Sequence, residues 1–372
     1  MSNTLLTSSI IAREALIVLE ANLVAAGLVY RDYSDEFAKV GDTITIRKPA
    51  TFTAQTFTST ISAQNATESG VSVVLDRHLD VSFAVTSKEL ALSIQDFSAQ
   101  FIQPAMRAHA QAIDASICAL YKDIPHYSRS SDTTAWTSLK ALTAGRKVLN
   151  DNLVPMNDRR ALLNTASEAA LLGLDAVIGA EKSGSTDALR QANVGRLMGL
   201  DVYMDQNVPA AHTSGTVTTA GNFSATAGST TFTVAAGSPV GGTFKKGDIV
   251  TITGDALPYV VTADATLSGG AGTVYMAPAA RVTFSSAAGT ARSQTTGGNA
   301  TPIAFHKNAF ALVTRPLARP LGSANAETIS YNGISVRVVY GYDMSTKTDT
   351  VSLDLLYGVK TLDERLGVRL EG

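Results

Sequence analysis

The chain has 372 residues, 45% of them hydrophobic and 17% charged, with 30 basic and 32 acidic side chains and a formal charge of −2. That length accommodates more than one domain and a sizeable core, while the charge balance supplies no global basic field to gather nucleic acid. A single cysteine, Cys118, excludes an intramolecular disulfide framework. The first apolar stretch, 5–29, carries Arg13, Glu14 and Glu20 near its centre, so it reads neither as a secretory signal nor as a membrane span, and the chain is expected to be cytoplasmic at synthesis.

Residues 9–28 are expected to form an amphipathic helix. Ile10, Ile11, Leu16, Ile17, Leu19, Leu23 and Val24 recur at helical spacing, and Gly27 supplies a stop. Two readings fit it: a core helix packed on its own domain, or an arm lying on a neighbouring subunit. From 41 to 85 the pattern turns to strand. Thr43-Ile44-Thr45-Ile46 alternates, Pro49 breaks the run, a Thr/Ser/Phe-rich stretch with Phe52 and Phe57 follows, and Val71-Ser72-Val73 resumes it. The expected product is a long two-stranded ribbon, which is marginal alone in water and needs a surface to lie on.

Residues 86–122 carry the strongest helical pattern. Thr86 and Glu89 fit a capping box, and Leu90, Ile94, Phe97, Phe101, Ala105, Ala108, Ala112, Ala115 and Leu120 follow a helical stripe. Pro104 must bend this helix or start a second one. A helix over 135–150, a strand over 160–164, and a short helix capped by Ser167 come next. Residues 194–209 then read as turn, strand and turn.

At 213 the composition shifts, and it shifts back at 298. Those 86 residues hold 7 of the chain's 62 charges and 14 of its 29 glycines, in short Thr/Val/Phe runs between glycine turns. That is the pattern of a small all-β sandwich or barrel inserted into an α+β domain. Strands over 303–315, 330–342 and 350–359 complete the chain.

The residues offer little chemistry. His78, His109, His126, His212 and His306 show no metal-ligand spacing, and no nucleophile-elbow, phosphate-loop or dinucleotide fingerprint is present. Cys118 and His109 lie on the long helix, where buried structural roles are expected. No catalytic residue, metal or cofactor is expected, and the chain does not read as an enzyme. Two charged sites stand out. Lys245-Lys246-Gly247-Asp248 reads as a hairpin tip, either a solvated turn or an exposed contact, and Arg47-Lys48 at the ribbon's edge carries the same two readings.

Three stretches carry a resemblance. They are Ser87-Lys-Glu-Leu90 with Asp96-Phe-Ser-Ala-Gln-Phe-Ile-Gln-Pro104 and Ala112-Ile-Asp114; Val194-Gly-Arg-Leu-Met-Gly-Leu-Asp-Val202 with Asn207-Val-Pro209; and Ala304-Phe-His-Lys-Asn-Ala-Phe310 with Arg315-Pro316. In this order they resemble the major capsid (coat) proteins of P22-type tailed phages, a branch of the HK97-fold shell proteins. The resemblance implies an α+β HK97-like capsid fold with an N-terminal arm (1–30), an extended loop (31–85), a spine-helix region (86–125), peripheral and axial domains (126–212 and 299–372) and an inserted immunoglobulin-like or telokin-like β domain (213–298). It further implies self-assembly into an icosahedral shell of pentamers and hexamers, scaffolding and portal partners, and enclosed double-stranded DNA without sequence-specific binding. No membrane is involved, and the expected location is the virion capsid, with assembly in the host cytoplasm. Arg47, Lys48, Phe52, Phe57, Lys245, Lys246 and Asp248 become candidate intersubunit contacts. An encapsulin-like compartment shell and a β-rich surface adhesin are the rival readings.

Overall fold

The computed structural model describes residues 8–31, 43–48, 56, 69–86, 98–128, 136–179, 187–217, 221–235, 242–291, 301–320, 326–331, 333–343 and 348–371. They fall into two compact units. One is drawn from Met1–Leu23, Arg31–Ala112 and Ala311–Leu362; the other from Val24–Tyr30, Ile113–Phe310 and Asp363–Gly372. Phe52, Phe57 and Glu89 of the expected capping box lie outside the described residues.

The first unit is organised by the long strand Thr348–Thr361, which takes partners on both sides. Arg77–Thr86 pairs with it antiparallel over ten residues, from Arg77 opposite Tyr357 to Thr86 opposite Thr348. Ile334–Asp343, Ala326–Tyr331 and Phe310–Arg315 complete a five-stranded sheet. The strand expected over 330–342 is thus two strands of a hairpin, with Tyr331 opposite Ile334 and Gly333 at φ +74 in the connection. Helix Ser8–Asn22 packs on the two hairpin strands, burying Ile11, Ala12, Ala15, Leu16 and Leu19 along one stripe. It therefore covers its own chain, and it ends at Asn22, six residues earlier than the apolar pattern suggests. Of the ribbon expected over 41–85, Thr43–Lys48 pairs antiparallel with Ser69–Val74, Thr43 opposite Val74 and Lys48 opposite Ser69, while 77–86 belongs to the sheet.

Thr86 is the last residue of a strand, and residues 87–97, which include the rest of the expected capping box, lie outside the described residues. Helical structure is described from Ser98, as a π-helical turn Ser98–Ile102 running into the α-helix Gln103–Cys118 and a closing 3-10 turn Ala119–Asp123. Pro104 sits at the second position of the α-helical stretch, directly after the π-helical turn, so the change of helix type falls at the proline.

The second unit contains a six-stranded sheet in the order Tyr127–Ser128, Gly367–Leu370, Ile303–His306, Arg159–Leu163, Leu200–Met204, Arg196–Leu197. Helix Lys140–Asp151 contacts the Gly367–Leu370 and Ile303–His306 strands. Trp136, Leu142, Leu149, Leu163, Leu171, Val368 and Leu370 share a core there. Helix Thr165–Leu172 is capped by Asn164, whose side chain accepts from Ser167 N at 2.8 Å; Ser167 itself is buried as the third helical residue and is not the cap.

The low-charge region forms a closed antiparallel barrel. Its strands follow one another as Ile249–Ile252, Tyr259–Val261, Gly272–Ala277, Thr231–Val234, Gly221–Ala225 and Phe284–Ala291, which returns to Ile249–Ile252. Gly242–Phe244 and Ala265–Leu267 add a separate two-stranded piece. The closed ring departs from the two open sheets of an immunoglobulin-like sandwich. Phe223, Phe232, Phe244, Tyr259, Val274 and Met276 fill its interior. Among the described residues no helix is long and apolar enough to cross a membrane.

Candidate functional site

Among the described residues no group of three or more His, Cys, Asp or Glu side chains could hold a metal ion. Burial, with the charges of Asp205 and Asp114 adding to it, raises the Cys118 thiol well above its ordinary pKa, the opposite of what a nucleophile needs. His109 is buried, bonds the Leu353 carbonyl at 2.9 Å, and is held neutral as burial lowers its pKa. Both play the structural parts expected of them. The polar features that remain concern how excursions from the two units are held.

The first is the seat of the barrel. Lys245–Asp248 is not a hairpin tip: Gly242–Phe244 before it pairs with Ala265–Leu267, and Ile249–Ile252 after it pairs with Tyr259–Val261. The turn closes with Asp248 N donating to Lys245 O at 3.0 Å. Asp248 points inward, 3% exposed, because three donors converge on it. Oδ2 accepts from Lys245 N at 2.7 Å and Gly215 N at 3.0 Å, and Oδ1 lies 3.1 Å from His212 Nε2. A carboxylate only accepts, so Nε2 donates to it, and the other ring nitrogen, Nδ1, shares a hydrogen bond of 2.8 Å with the Tyr121 hydroxyl. Burial foremost, and then the Asp248 charge, push Tyr121 up to about 12, which keeps its hydroxyl protonated. Tyr121, His212 and Asp248 form a fully bonded buried row from the end of the long helix into the barrel's base.

Gly247 makes the approach possible. Its φ of +100 suits glycine, and a Cβ there would come within 2.9 Å of both His212 Cε1 and Lys122 Cγ. Lys246 Nζ then reaches Asp123 at 3.1 Å, and Lys245 Nζ reaches Asp264 at 2.6 Å. The Lys245 side chain, with the Lys246 N–H, holds the Asp264 carboxyl below its usual range. Beneath the row, the buried Arg369 guanidinium lies 5.3 Å from the Tyr121 ring centroid and donates through Nε to Ile124 O at 3.0 Å. Of the expected exposed contacts, Asp248 is therefore corrected to an internal anchor. Lys245 and Lys246 stay half-exposed, each with a partner inside the chain.

The second feature is the root of the ribbon. Val73 and Leu75 are buried against Val313, with Ile46 and Leu356 packed beside them. Strand Thr348–Thr361 passes so close that a Cβ on Gly358 would collide with the Val74 carbonyl oxygen. Arg47 and Lys48 lie in the ribbon opposite Gly70 and Ser69.

No protein-family profile and no curated protein matches the sequence. Solved structures do. A chain from Mycobacterium phage Che8 aligns at TM-score 0.51 and 16% identity, covering 93% of this chain and 90% of that one. A chain from the capsid of cyanophage P-SCSP1u aligns at TM-score 0.48 and 12% identity over 89% and 84% of the two chains. One from the capsid of Ralstonia phage GP4 aligns at 0.48 and 8% over 93% and 87%. The likeness to the Che8 chain shows a shared fold along nearly the full length of both chains.

Proposed function

We propose that this chain is the major capsid protein of a tailed bacteriophage: a structural subunit, not an enzyme, that self-assembles into an icosahedral shell around double-stranded DNA. One observation carries the reading, the fold shared with a phage protein over nine-tenths of each chain. The three sequence stretches quoted above add the capsid class and, more finely, an HK97-type shell of the P22-like branch. In that reading 1–30 is the N-terminal arm, 31–85 the extended loop, 86–125 the spine-helix region, and 126–212 with 299–372 the peripheral and axial domains, while the insert 213–298 stands as a β domain on the subunit. Pentamers and hexamers close the shell with a scaffolding protein and a portal, in the host cytoplasm and then in the virion.

The physical features suit this role. A ribbon with little core of its own gains stability by lying on a neighbour, through Arg47, Lys48, Phe52 and Phe57, while Lys245 and Lys246 offer half-exposed contacts on the insert. Each contact needs only millimolar strength, about 4 kcal/mol, since several per subunit act together. A net charge of −2 lets DNA be packed and released without a tight electrostatic grip. Expression with and without the cognate scaffold, followed by negative-stain electron microscopy, tests the proposal. Closed shells are expected; a monodisperse monomer under both conditions overturns it.

A further inference from the structure

Two turns of the second unit hold apolar residues where the backbone calls for glycine or asparagine. Helix Lys140–Asp151 ends in a Schellman turn: Val154 N donates to Leu149 O at 3.0 Å and Leu153 N to Asn150 O at 2.9 Å. The residue that closes such a turn is left-handed and usually glycine. Here it is Leu153, at φ +56. Its side chain is 90% exposed, and Met156 just beyond it is 67% exposed. Strands Arg196–Leu197 and Leu200–Met204 are joined by a two-residue hairpin turn, Met198-Gly199, with φ of +52 and +79. Asn, Asp or Gly normally serves at the first of those positions. Met198 stands there, and it too is exposed. Neither turn is loose. The buried Arg159 guanidinium donates to Pro155 O and to Asn150 Oδ1, each at 2.7 Å, and also to Val154 O. Arg146 Nη1 donates to Met198 O at 3.0 Å. Arg146 and Asn150 lie one helical turn apart on helix Lys140–Asp151, so both turns are tied to one side of it.

We propose that Leu153, Met156 and Met198 form a contact for a second copy of this chain; the inference rests on the reading of the chain as a shell subunit. A left-handed leucine or methionine whose side chain is directed at solvent is favoured neither by conformation nor by burial inside its own chain. An apolar surface on a neighbour supplies the missing burial. The three side chains offer on the order of a few hundred Å², short of the ~800 Å² that each partner gives to a lasting one-to-one complex. Such a patch holds only where many identical contacts close together, as they do among copies of one chain. The flanking charges suit a like neighbour. Lys147 pairs with Asp151 at 2.7 Å and Arg196 with Asp201 at 3.7 Å, so copies meet without an excess of either sign. Met156 and Met198 are unbranched and flexible, which lets the contact adapt to different angles between neighbours.

Leu153→Gly separates a role in assembly from a role in the fold. Glycine adopts the left-handed turn without strain, so the unfolding midpoint of the full chain is expected to stay level or rise. The concentration at which the chain assembles, read by light scattering with and without scaffold, is expected to rise about tenfold or more. A lower midpoint, or assembly at the wild-type concentration, overturns the proposal. Met156→Cys carrying a benzophenone maleimide identifies the occupant, because the native thiol, Cys118, is buried. Cross-links from this probe are expected on another copy of the chain; cross-links found only on a scaffold or another protein overturn the proposal. Electron micrographs of the same samples decide the shell reading separately. Assemblies of another form that show the shift overturn that reading alone, and a wild-type chain that never associates overturns both.

Discussion

The ribbon and the barrel are both excursions from their units, and they are stabilised by opposite means. The barrel carries a core of fourteen buried residues, closes its own hydrogen-bond ring, and is tied to its host by one buried polar row and the Lys246–Asp123 ion pair. The described part of the ribbon contributes only Ile46, Val73 and Leu75 to a shared apolar cluster, all near its root. An insert with a core of its own can be attached at a point, whereas one without must be laid along something else.

The largest expected effect separates the two outright. Residues 213–298 expressed alone should give a β-type circular dichroism spectrum and a cooperative melt. Deletion of 50–70 should leave a folded subunit that forms no shells. An unfolded barrel fragment, or normal shells from the deletion, would break the contrast. Next in size is the barrel's seat. Asp248→Ala strands three donors in a buried site and should cost about 3 kcal/mol or more of stability in chemical denaturation, while Lys246→Ala, at a half-exposed ion pair, should cost under about 1 kcal/mol. Similar costs for both would mean that the buried row does not hold the barrel.

Smaller than the Asp248 effect is a dependence on pH where the barrel's charge acts on His126. Burial foremost, and then the Arg281 charge from the barrel, push His126 down to about 4. A histidine with its folded pKa depressed binds its proton first in the unfolded chain. Its contribution is thus full above pH 6.5 and is lost as pH falls toward 4. His126→Leu should reduce the stability lost between pH 7 and pH 5 by about 2 kcal/mol. Asp114 works the other way, because burial raises its pKa and so favours the folded state at low pH; Asp114→Asn should therefore steepen the loss on acidification.

What could be read from the sequence follows the range of the interactions involved. The paired base of the ribbon, the strand at 159–163 and the helix after Trp136 all rest on local periodicity, and they formed near the expected positions. The Asn332-Gly333 pair signals a two-residue hairpin turn, and reading it would have split the strand expected over 330–342. Asn164 was legible too, since an N-cap precedes the first helical turn and Ser167 lies inside it. Asp114 capping a helix 88 to 90 residues away, or His212 meeting Asp248 across 36, left no local trace. Barrel closure was equally hidden, for strands far apart in sequence must find one register. Asp248 misled for the same reason: a charged turn residue looks solvated until its three donors arrive.

The closed ring has a consequence for crowding. A chain gathered in many copies on one surface brings every insert to high local concentration, where open sheet edges would template pairing between neighbours. A barrel whose six strands are all paired on both sides offers no such edge. The six-stranded ring itself therefore cannot seed an unplanned sheet, because it presents side chains rather than unpaired backbone.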